Sequence, residues 1–452
     1  MTETTNQHVD ISQLSATSLE VMANQATINI GAIGHVAHGK STLVKAISGI
    51  KTVRFKSELE RNITIKLGYA NAKIYKCDNA KCPRPDCFKS FASNKPIQLP
   101  CKRPGCGGKL QLQRHVSFVD CPGHESLMST MLSGAAVMDA AILMVAANEP
   151  CPQPQTAEHM GAIEIMKLQN VVIVQNKIDL VDQKSAETNY EQVKSFISDT
   201  IAEGSPIVPI SAQFELNVDA VVEYLYRHIP VPMRDFNASP YMVIVRSFDV
   251  NKPGAEVDQL VGGVVGGSIL RGTLNLGQAI EIRPGITFRD NQNGIVSKPI
   301  VTKIASLRAE SNKLQFAVPG GLIGVGTILD PMLASKNRLV GQVLGSAGRM
   351  PSMYKEVVIS YNLLQRLLGS NPEKCKQVKV KKLAKDEILQ VNVGANKIAA
   401  RVTAVKGDRA KLVLNKPACA ERDEQISLSR KIDSQWRLVG WATIIQGKTL
   451  SM

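Results

Sequence analysis

Gly34-His-Val-Ala-His-Gly39-Lys40-Ser41 is the stretch of sequence that decides the fold. It follows the apolar run 28–33 and precedes a segment with helical periodicity, which is where a phosphate loop of the pattern G-x-x-x-x-G-K-[ST] lies. The glycines let backbone N–H groups point at a phosphate, and the helix N-terminus behind them favours the same negative charge. The stretch therefore predicts an α/β domain built around a nucleotide site.

This loop supplies most of the expected contacts to the nucleotide phosphates. Lys40 brings positive charge to the β- and γ-phosphates, and the Ser41 hydroxyl coordinates Mg²⁺. A glycine-rich turn without a ligand is the alternative, and the flanking strand and helix patterns argue against it. The residues expected to bind phosphate are Val36, Ala37, His38, Gly39, Lys40, Ser41 and Thr42.

Two later segments carry residues suited to phosphoryl transfer. Asp120-Cys-Pro-Gly123 ends a predicted strand, so that Asp120 can hold Mg²⁺ and the Gly123 N–H can sense the γ-phosphate. Thr64 can add a hydroxyl to the metal while the γ-phosphate is present. These segments are the expected switches, and the predicted magnesium ligands are Ser41, Thr64 and Asp120.

His124 directly follows Gly123 and is expected to position the water that attacks the γ-phosphate. A structural histidine that caps the following helix is the competing interpretation. Val36 and Ile63 are candidates for an apolar gate that holds His124 away from the water. The predicted catalytic set is therefore Thr64, Asp120, Gly123 and His124.

Asn176-Lys177-Ile-Asp179 closes another predicted strand and indicates which base is bound. The Asp179 carboxylate can accept from N1–H and the exocyclic amine of guanine, whereas adenine offers no such pair of donors. Losing those bonds costs on the order of 3 kcal/mol. Lys177 can lie along the base, and Ser211-Ala212-Gln213 follows the last strand and can offer backbone N–H to the guanine oxygen. The four elements in this order predict GTP or GDP as the ligand.

Five cysteines fall between the two switch segments. Cys82-Pro-Arg-Pro-Asp-Cys87 and Cys101-Lys-Arg-Pro-Gly-Cys106 share a pattern within the ligand gap of structural zinc sites, so they predict one closed four-thiolate site. Cys77 can replace one member, and reduced thiols without a metal also fit the pattern.

The pattern of apolar residues, glycines and prolines along the chain predicts three folded units. Short apolar runs (28–33, 116–120, 141–147, 171–175 and 207–210) alternate with helical stretches, which indicates a mostly parallel sheet flanked by helices. After the proline-rich segment 228–240, short β-branched runs between glycines are typical of closed barrels. The expected division is a mobile tail over 1–24, a nucleotide-binding domain over 25–235 with a cysteine-rich insertion over 74–112, and β-barrels over 236–348 and 349–452.

The charge balance favours a polyanionic partner. Lys and Arg outnumber Asp and Glu by 54 to 39, a net charge of +15. Residues 374–416 hold twelve Lys or Arg against three Asp or Glu, so the second barrel is the expected basic unit. A solvated basic face is the alternative. The N-terminus lacks a leader pattern, and Asp139 interrupts the apolar stretch 135–147, so we expect a cytoplasmic protein with no membrane partner.

These motifs resemble the gamma subunit of eukaryotic and archaeal translation initiation factor 2, within the elongation-factor-Tu-like GTPases. The most specific stretches are residues 34–42, 60–70 and 114–124, and the likeness extends from about residue 25 to the end. Bacterial elongation factors usually carry Asp where Ala37 stands and lack the cysteine insertion, which favours the initiation-factor branch.

The resemblance implies a GTP-dependent carrier of methionylated initiator tRNA that works with alpha and beta subunits on the small ribosomal subunit. It also implies a GTPase-activating protein, a nucleotide-exchange factor, an aminoacyl end held between the GTPase domain and the first barrel, and an alpha subunit docked on that barrel. Two alternatives stay open: a scaffold that binds GTP without hydrolysing it, and a carrier of elongator or selenocysteinyl tRNA.

Overall fold

The computed structural model describes residues 13–52, 58, 64, 66–252, 254, 256, 259–289, 295–365, 367, 379–432 and 435–450. Ile63, the first half of the N-terminal tail and the beginning of the basic segment lie outside these described residues. Within them, no helix is long and apolar enough to cross a membrane.

The first unit is an α/β domain whose strands coincide with the predicted apolar runs. Its strands are β1 Ile28–Gly34, β2 Gly68–Cys77, β3 Phe88–Ala92, β4 Gln98–Pro100, β5 Lys109–Asp120, β6 Ala140–Ala146, β7 Val171–Asn176 and β8 Ile207–Pro209. Its helices are α1 Leu19–Asn24, α2 Lys40–Ser48, α3 Met128–Ala135, α4 Pro154–Ile165, α5 Gln183–Ile197 and α6 Val218–Arg227.

One sheet runs through this domain in the order β3-β2-β5-β1-β6-β7-β8, with β4 paired to β5. The pairs among β5, β1, β6, β7 and β8 are parallel, while β2, β3 and β4 join antiparallel. β1 and β6 are buried along their whole length, as expected of central parallel strands with helices on both faces. The carboxyl ends of β1, β5, β6 and β7 therefore meet at one edge, where ligands of open α/β sheets bind.

The tail prediction was wrong for residues 19–24. They form α1, in which Val21 and Met22 are buried. The carbonyl of Met22 lies 2.9 Å from Nδ1 of the buried His115. Apolar burial and this hydrogen bond fix the segment against β5, which the polar composition of the tail does not indicate.

The first barrel comprises β9 Tyr241–Phe248, β10 Val264–Arg271, β11 Leu274–Asn275, β12 Ala279–Arg289, β13 Ile295–Ala309, β14 Asn312–Leu314, β15 Phe316–Ala317, β16 Ile323–Thr327, α7 Pro331–Ala334 and β17 Val343–Ser346. Its sheet order, β12-β17-β9-β10-β16-β13, closes through the β12–β13 pairing.

The second barrel comprises β18 Met353–Leu363, β19 Ile388–Val393, β20 Asn396–Lys406, β21 Arg409–Cys419, β22 Gln425–Ile432 and β23 Gln435–Thr449, closed in the order β18-β21-β20-β19-β22-β23. An α/β domain followed by two closed barrels confirms the predicted fold class.

Candidate nucleotide site and cysteine cluster

The phosphate loop connects the buried strand β1 to α2, which begins at Lys40. Gly34 and Gly39 have φ of 133° and 95°, a region that favours glycine. A Cβ on Gly39 would also lie 2.2 Å from Nδ2 of Asn176. Both glycines are thus required by the backbone path, and Ala37 takes a left-handed φ of 58° without being glycine.

Lys40 is buried and points into the loop. Its ammonium donates to the carbonyls of Gly34, at 3.1 Å, and His35, at 2.5 Å. Burial lowers the pKa of Lys40 to about 8. A polyphosphate in this loop would supply the negative charge that a buried ammonium requires.

The three predicted magnesium ligands lie together. Ser41 Oγ donates to Asp120 Oδ2 at 2.6 Å and lies 3.2 Å from Thr64 Oγ1. Burial raises the pKa of Asp120, and within the described chain its buried Oδ1 has no hydrogen-bond partner. Hard oxygen donors around one unsatisfied carboxylate atom fit Mg²⁺.

Thr52 also belongs to this group, although the sequence did not predict it. Its Oγ1 donates to Asp120 Oδ2 at 2.5 Å. Thr52 belongs to no motif, so only the folded chain brings it to the carboxylate.

Gly123 lies directly against the phosphate loop. A Cβ there would come within 2.6 Å of Lys40 Nζ and 2.9 Å of the Gly34 carbonyl oxygen. The neighbouring His124 is exposed, and its Nδ1 lies 2.9 Å from Ser126 Oγ. The ring is therefore engaged at the start of the following helical turn.

The guanine motifs meet at the same edge of the sheet. Asn176 Nδ2 donates to the His38 carbonyl at 2.9 Å, and its Oδ1 accepts from the Ala212 N–H at 2.9 Å. Asn176 thus joins the phosphate loop to Ser211-Ala212-Gln213. Asp179 is exposed beyond the strand end, where its carboxylate is accessible to a base.

Two buried histidines support the phosphate loop. His159 Nδ1, on α4, accepts from the Gly34 N–H at 2.9 Å, and burial lowers the pKa of His159 to about 3. The ring of His38 lies 3.0 Å from the Met144 carbonyl and 3.2 Å from the Glu149 carboxylate. The His38 side chain therefore anchors the loop, so only its backbone can reach a phosphate. His159 lies in a helix without a motif and gave no sequence signal.

The cysteine cluster differs from the predicted ligand set in one member. The Sγ atoms of Cys77, Cys82, Cys101 and Cys106 lie within 4.8 Å of one another, and those of Cys77 and Cys106 are 3.6 Å apart. Tetrahedral zinc with bonds of 2.3 Å requires an S···S separation of about 3.8 Å, so the four thiols fit this ion.

Cys87 is not part of this group, which corrects the favoured pairing with Cys82, and Cys77 stands in its place, as the alternative ligand set allowed. The β2–β3 ladder continues to the Cys77 N–H, which donates to the Cys87 carbonyl at 2.8 Å. Pairing of Cys77 with Leu110 of β5 brings the end of β2 to the loop that carries Cys106. Cys77 takes the fourth position because strand pairing, rather than sequence spacing, sets the neighbours.

Comparison with known proteins places this geometry in a family. Residues 25–231 match the elongation factor Tu GTP binding domain, residues 262–345 match elongation factor Tu domain 2, and residues 355–444 match initiation factor eIF2 gamma, C terminal. The chain is 60% identical over 445 residues to eukaryotic translation initiation factor 2 subunit 3 of Drosophila melanogaster, covering 98% of this chain and 94% of that protein.

The chain belongs to the eIF2 gamma family. A second eIF2 gamma relative, eukaryotic translation initiation factor 2 subunit gamma of Schizosaccharomyces pombe, is 58% identical over 446 residues, or 99% of this chain and 100% of that protein. The eIF2 gamma family is a family of translation initiation GTPases, so GTP, GDP and Mg²⁺ are the implied ligands of the site described above.

Solved structures share the fold of this eIF2 gamma family member at low identity. A bacterial selenocysteine-specific elongation factor, EF-Sec, has a TM-score of 0.68 at 18% identity, covering 94% of this chain, which spans only 59% of that structure. Elongation factor SelB from Methanococcus maripaludis with a GTP analogue has a TM-score of 0.65 at 19% identity, covering 94% of this chain and 80% of SelB. These likenesses describe the fold alone.

Proposed function

We propose that this chain is the GTP-binding subunit of translation initiation factor 2, which carries methionylated initiator tRNA to the small ribosomal subunit and releases it after GTP hydrolysis. The observation that carries the proposal is the full-length identity to eIF2 gamma proteins, which spans the α/β domain and both barrels. A carrier of selenocysteinyl or elongator tRNA is less supported, because those structures resemble the chain in fold only.

The phosphates bind over the loop from Val36 to Thr42, where backbone N–H groups and Lys40 face them. Ser41, Thr64 and Asp120 would hold Mg²⁺, which neutralises charge on the β- and γ-phosphates when bound. Thr64 and Gly123 contact the γ-phosphate side only in the GTP state, so loss of that phosphate releases both segments. The close approach of Ser41 to Thr64 and Asp120 supports this arrangement.

His124 positions the attacking water in the stimulated reaction. Its contact with Ser126 supports a resting orientation, and Val36, which is half buried within the phosphate loop, is the described member of the apolar gate. A GTPase-activating partner would favour an orientation in which the His124 ring leaves Ser126 and turns towards the attacking water. Single-turnover hydrolysis with and without ribosomes separates this switch from a GTP-binding scaffold, because a scaffold gains no rate.

Guanine is selected by Asp179, with Lys177 along the base and the loop Ser211-Ala212-Gln213 around its oxygen. Asn176 acts indirectly, because its amide group holds the two loops in register. Cys77, Cys82, Cys101 and Cys106 would hold one structural zinc ion through their four thiolates.

The barrels serve the partners. We divide the chain into a GTP-binding domain at 25–235 and barrels at 236–348 and 349–452. The first barrel exposes Ile286, Phe288 and Val301, which supports docking of the alpha subunit there. The aminoacyl end of the tRNA lies between this barrel and the GTP-binding domain. A beta subunit and an exchange factor complete the cytoplasmic assembly.

The second barrel is suited to RNA. Every Lys and Arg that the structure describes between 379 and 416 is exposed. Exposed cations on one unit give an affinity for RNA that falls steeply with salt.

The decisive experiment compares binding of methionylated initiator tRNA and an elongator aminoacyl-tRNA to the purified protein with GTP or GDP. The proposal expects tight binding only for initiator tRNA with GTP. Equal binding of both tRNAs would overturn it.

A further inference from the structure

The cysteine hairpin consists of β2, β3 and the turn between them. It packs through β3 against α6, the last helix of the GTP-binding domain. Phe88, which begins β3, is fully buried, and its ring lies 5.6 Å from that of Tyr226. The guanidinium of Arg227 lies 5.8 Å from the Phe88 ring centroid. The hairpin and the helix thus share an apolar contact surface.

Ion pairs reinforce this contact along two turns of α6. Lys89 donates to the Asp219 carboxylate near the start of the helix. Arg84, between Cys82 and Cys87, donates to Glu223, which Arg227 also contacts at 2.7 Å. The Glu223 side chain is only 9% exposed, so it depends on these cations for compensation.

The start of α6 is continuous with the predicted guanine loop. Asn217, the residue before α6, donates from Nδ2 to the Pro209 carbonyl at 2.8 Å. Backbone hydrogen bonds join Ser211 and Leu216 in both directions. A shift of the first turn of α6 therefore moves Ser211-Ala212-Gln213 and its link to Asn176.

We propose that Lys89 and Arg84 are positioning residues for guanine binding, which hold α6 and through it the guanine loop. The four-cysteine cluster joins the turn of this hairpin to the loop between β4 and β5, so a metal ion bound there would stiffen the contact between the hairpin and α6. Metal binding and guanine-nucleotide binding then favour each other reciprocally. This inference rests on the proposed guanine site.

The test measures dissociation of a fluorescent GDP, mant-GDP, from the intact protein. Lys89→Glu and Asp219→Lys each place like charges opposite one another, and each should accelerate dissociation about three- to tenfold. The double variant K89E/D219K restores the pair with reversed polarity and should return the rate to within about twofold of the original. Lys81→Glu, on an exposed lysine of the same hairpin, makes the same charge change and should leave the rate unaltered.

Two further measurements cover folding and the metal. Should the reversal variants not fold, Lys89→Met and Asp219→Asn remove the charges singly and should accelerate dissociation in a smaller, equal degree. Zinc removal by a chelator, quantified by metal analysis, should also accelerate mant-GDP release.

Two results overturn the inference: a K89E rate equal to that of K81E, or a double variant that stays as fast as the two single variants. A mant-GDP release rate unchanged after zinc removal overturns the metal coupling. If the unmodified protein does not bind mant-GDP, the proposed function fails instead.

Discussion

At the scale of single residues, the phosphate loop depends on a hydrogen bond outside its motif. His159→Phe removes the acceptor of the buried Gly34 N–H. An unsatisfied buried donor costs about 1–3 kcal/mol, so we expect GDP affinity to fall at least about fivefold. Titration with mant-GDP measures this. His159→Asn keeps an acceptor near the position of Nδ1 and should retain most of the affinity, and equal affinity of the Phe variant and the original protein would contradict this role.

Three buried histidines make the free energy of unfolding depend on pH. Burial lowers the pKa of His38 to about 4 and that of His115 and His159 to about 3. The unfolded chain protonates its histidines near pH 6.5 while the folded chain does not, so the free energy of unfolding falls as pH drops from 6.5 towards 4. Each histidine contributes roughly 1.4 kcal/mol per pH unit over that window.

Urea unfolding at pH 7.5, 6.5 and 5.5 measures this dependence. The expected midpoint changes little between the first two values and falls clearly at the third. The variant His159→Asn should show a shallower fall, because one buried histidine is gone. A midpoint independent of pH over this range would contradict the assignment.

The order of the motifs along the chain predicted that Ser41, Thr64 and Asp120 lie together, and the contacts of Ser41 with the other two agree with this. Thr52 and His159 were not predictable. Each reaches its partner only through tertiary packing, and a hydroxyl or imidazole without a neighbouring motif carries no local signal.

At the scale of secondary-structure elements, the cysteine hairpin provides the sharpest test. Cys82→Ser removes a member of the cluster and should abolish stoichiometric zinc, whereas Cys87→Ser, equally buried, should retain it. Metal analysis of both purified variants measures the difference. Zinc lost from the Cys87 variant as well as from the Cys82 variant would restore the ligand set that sequence spacing favours.

The core strands were predictable from their apolar runs, whereas the ligand set of the cysteine hairpin was not. The parallel core strands coincide with the predicted apolar runs, as β1 does with the run 28–33 and β6 with the run 141–147. The ligand choice between Cys77 and Cys87 depends instead on the register of β2 with β3 and β5, which spacing does not encode. For α1, two buried apolar residues outweigh a polar tail composition.

At the scale of the whole molecule, α4 connects the phosphate loop to the second barrel. His159 of α4 contacts the phosphate loop, and the preceding Glu158 accepts from Arg437 of β23 at 2.5 Å. The Glu158 side chain is 3% exposed and that of Arg437 is 18% exposed. The ion pair is therefore shielded from solvent, and it contributes more to the free energy of unfolding than an exposed ion pair does.

Arg437→Ala should destabilise the protein by about 3 kcal/mol, because it removes an ionic partner of a buried carboxylate. Lys411→Ala removes the exposed pair with Glu356 within the second barrel, and its expected cost is below about 1 kcal/mol. Thermal unfolding of both variants measures the contrast. Equal, small effects would mean that the second barrel does not depend on this contact.

We propose that this protein is a switch whose nucleotide site accepts guanine and excludes adenine. The most direct measurement is equilibrium binding of GDP and ADP to the purified full-length protein with Mg²⁺ present. GDP is expected to bind at least about a hundredfold more tightly, since adenine cannot offer the donor pair that Asp179 accepts. Equal affinities for the two nucleotides would contradict a guanine-selective site.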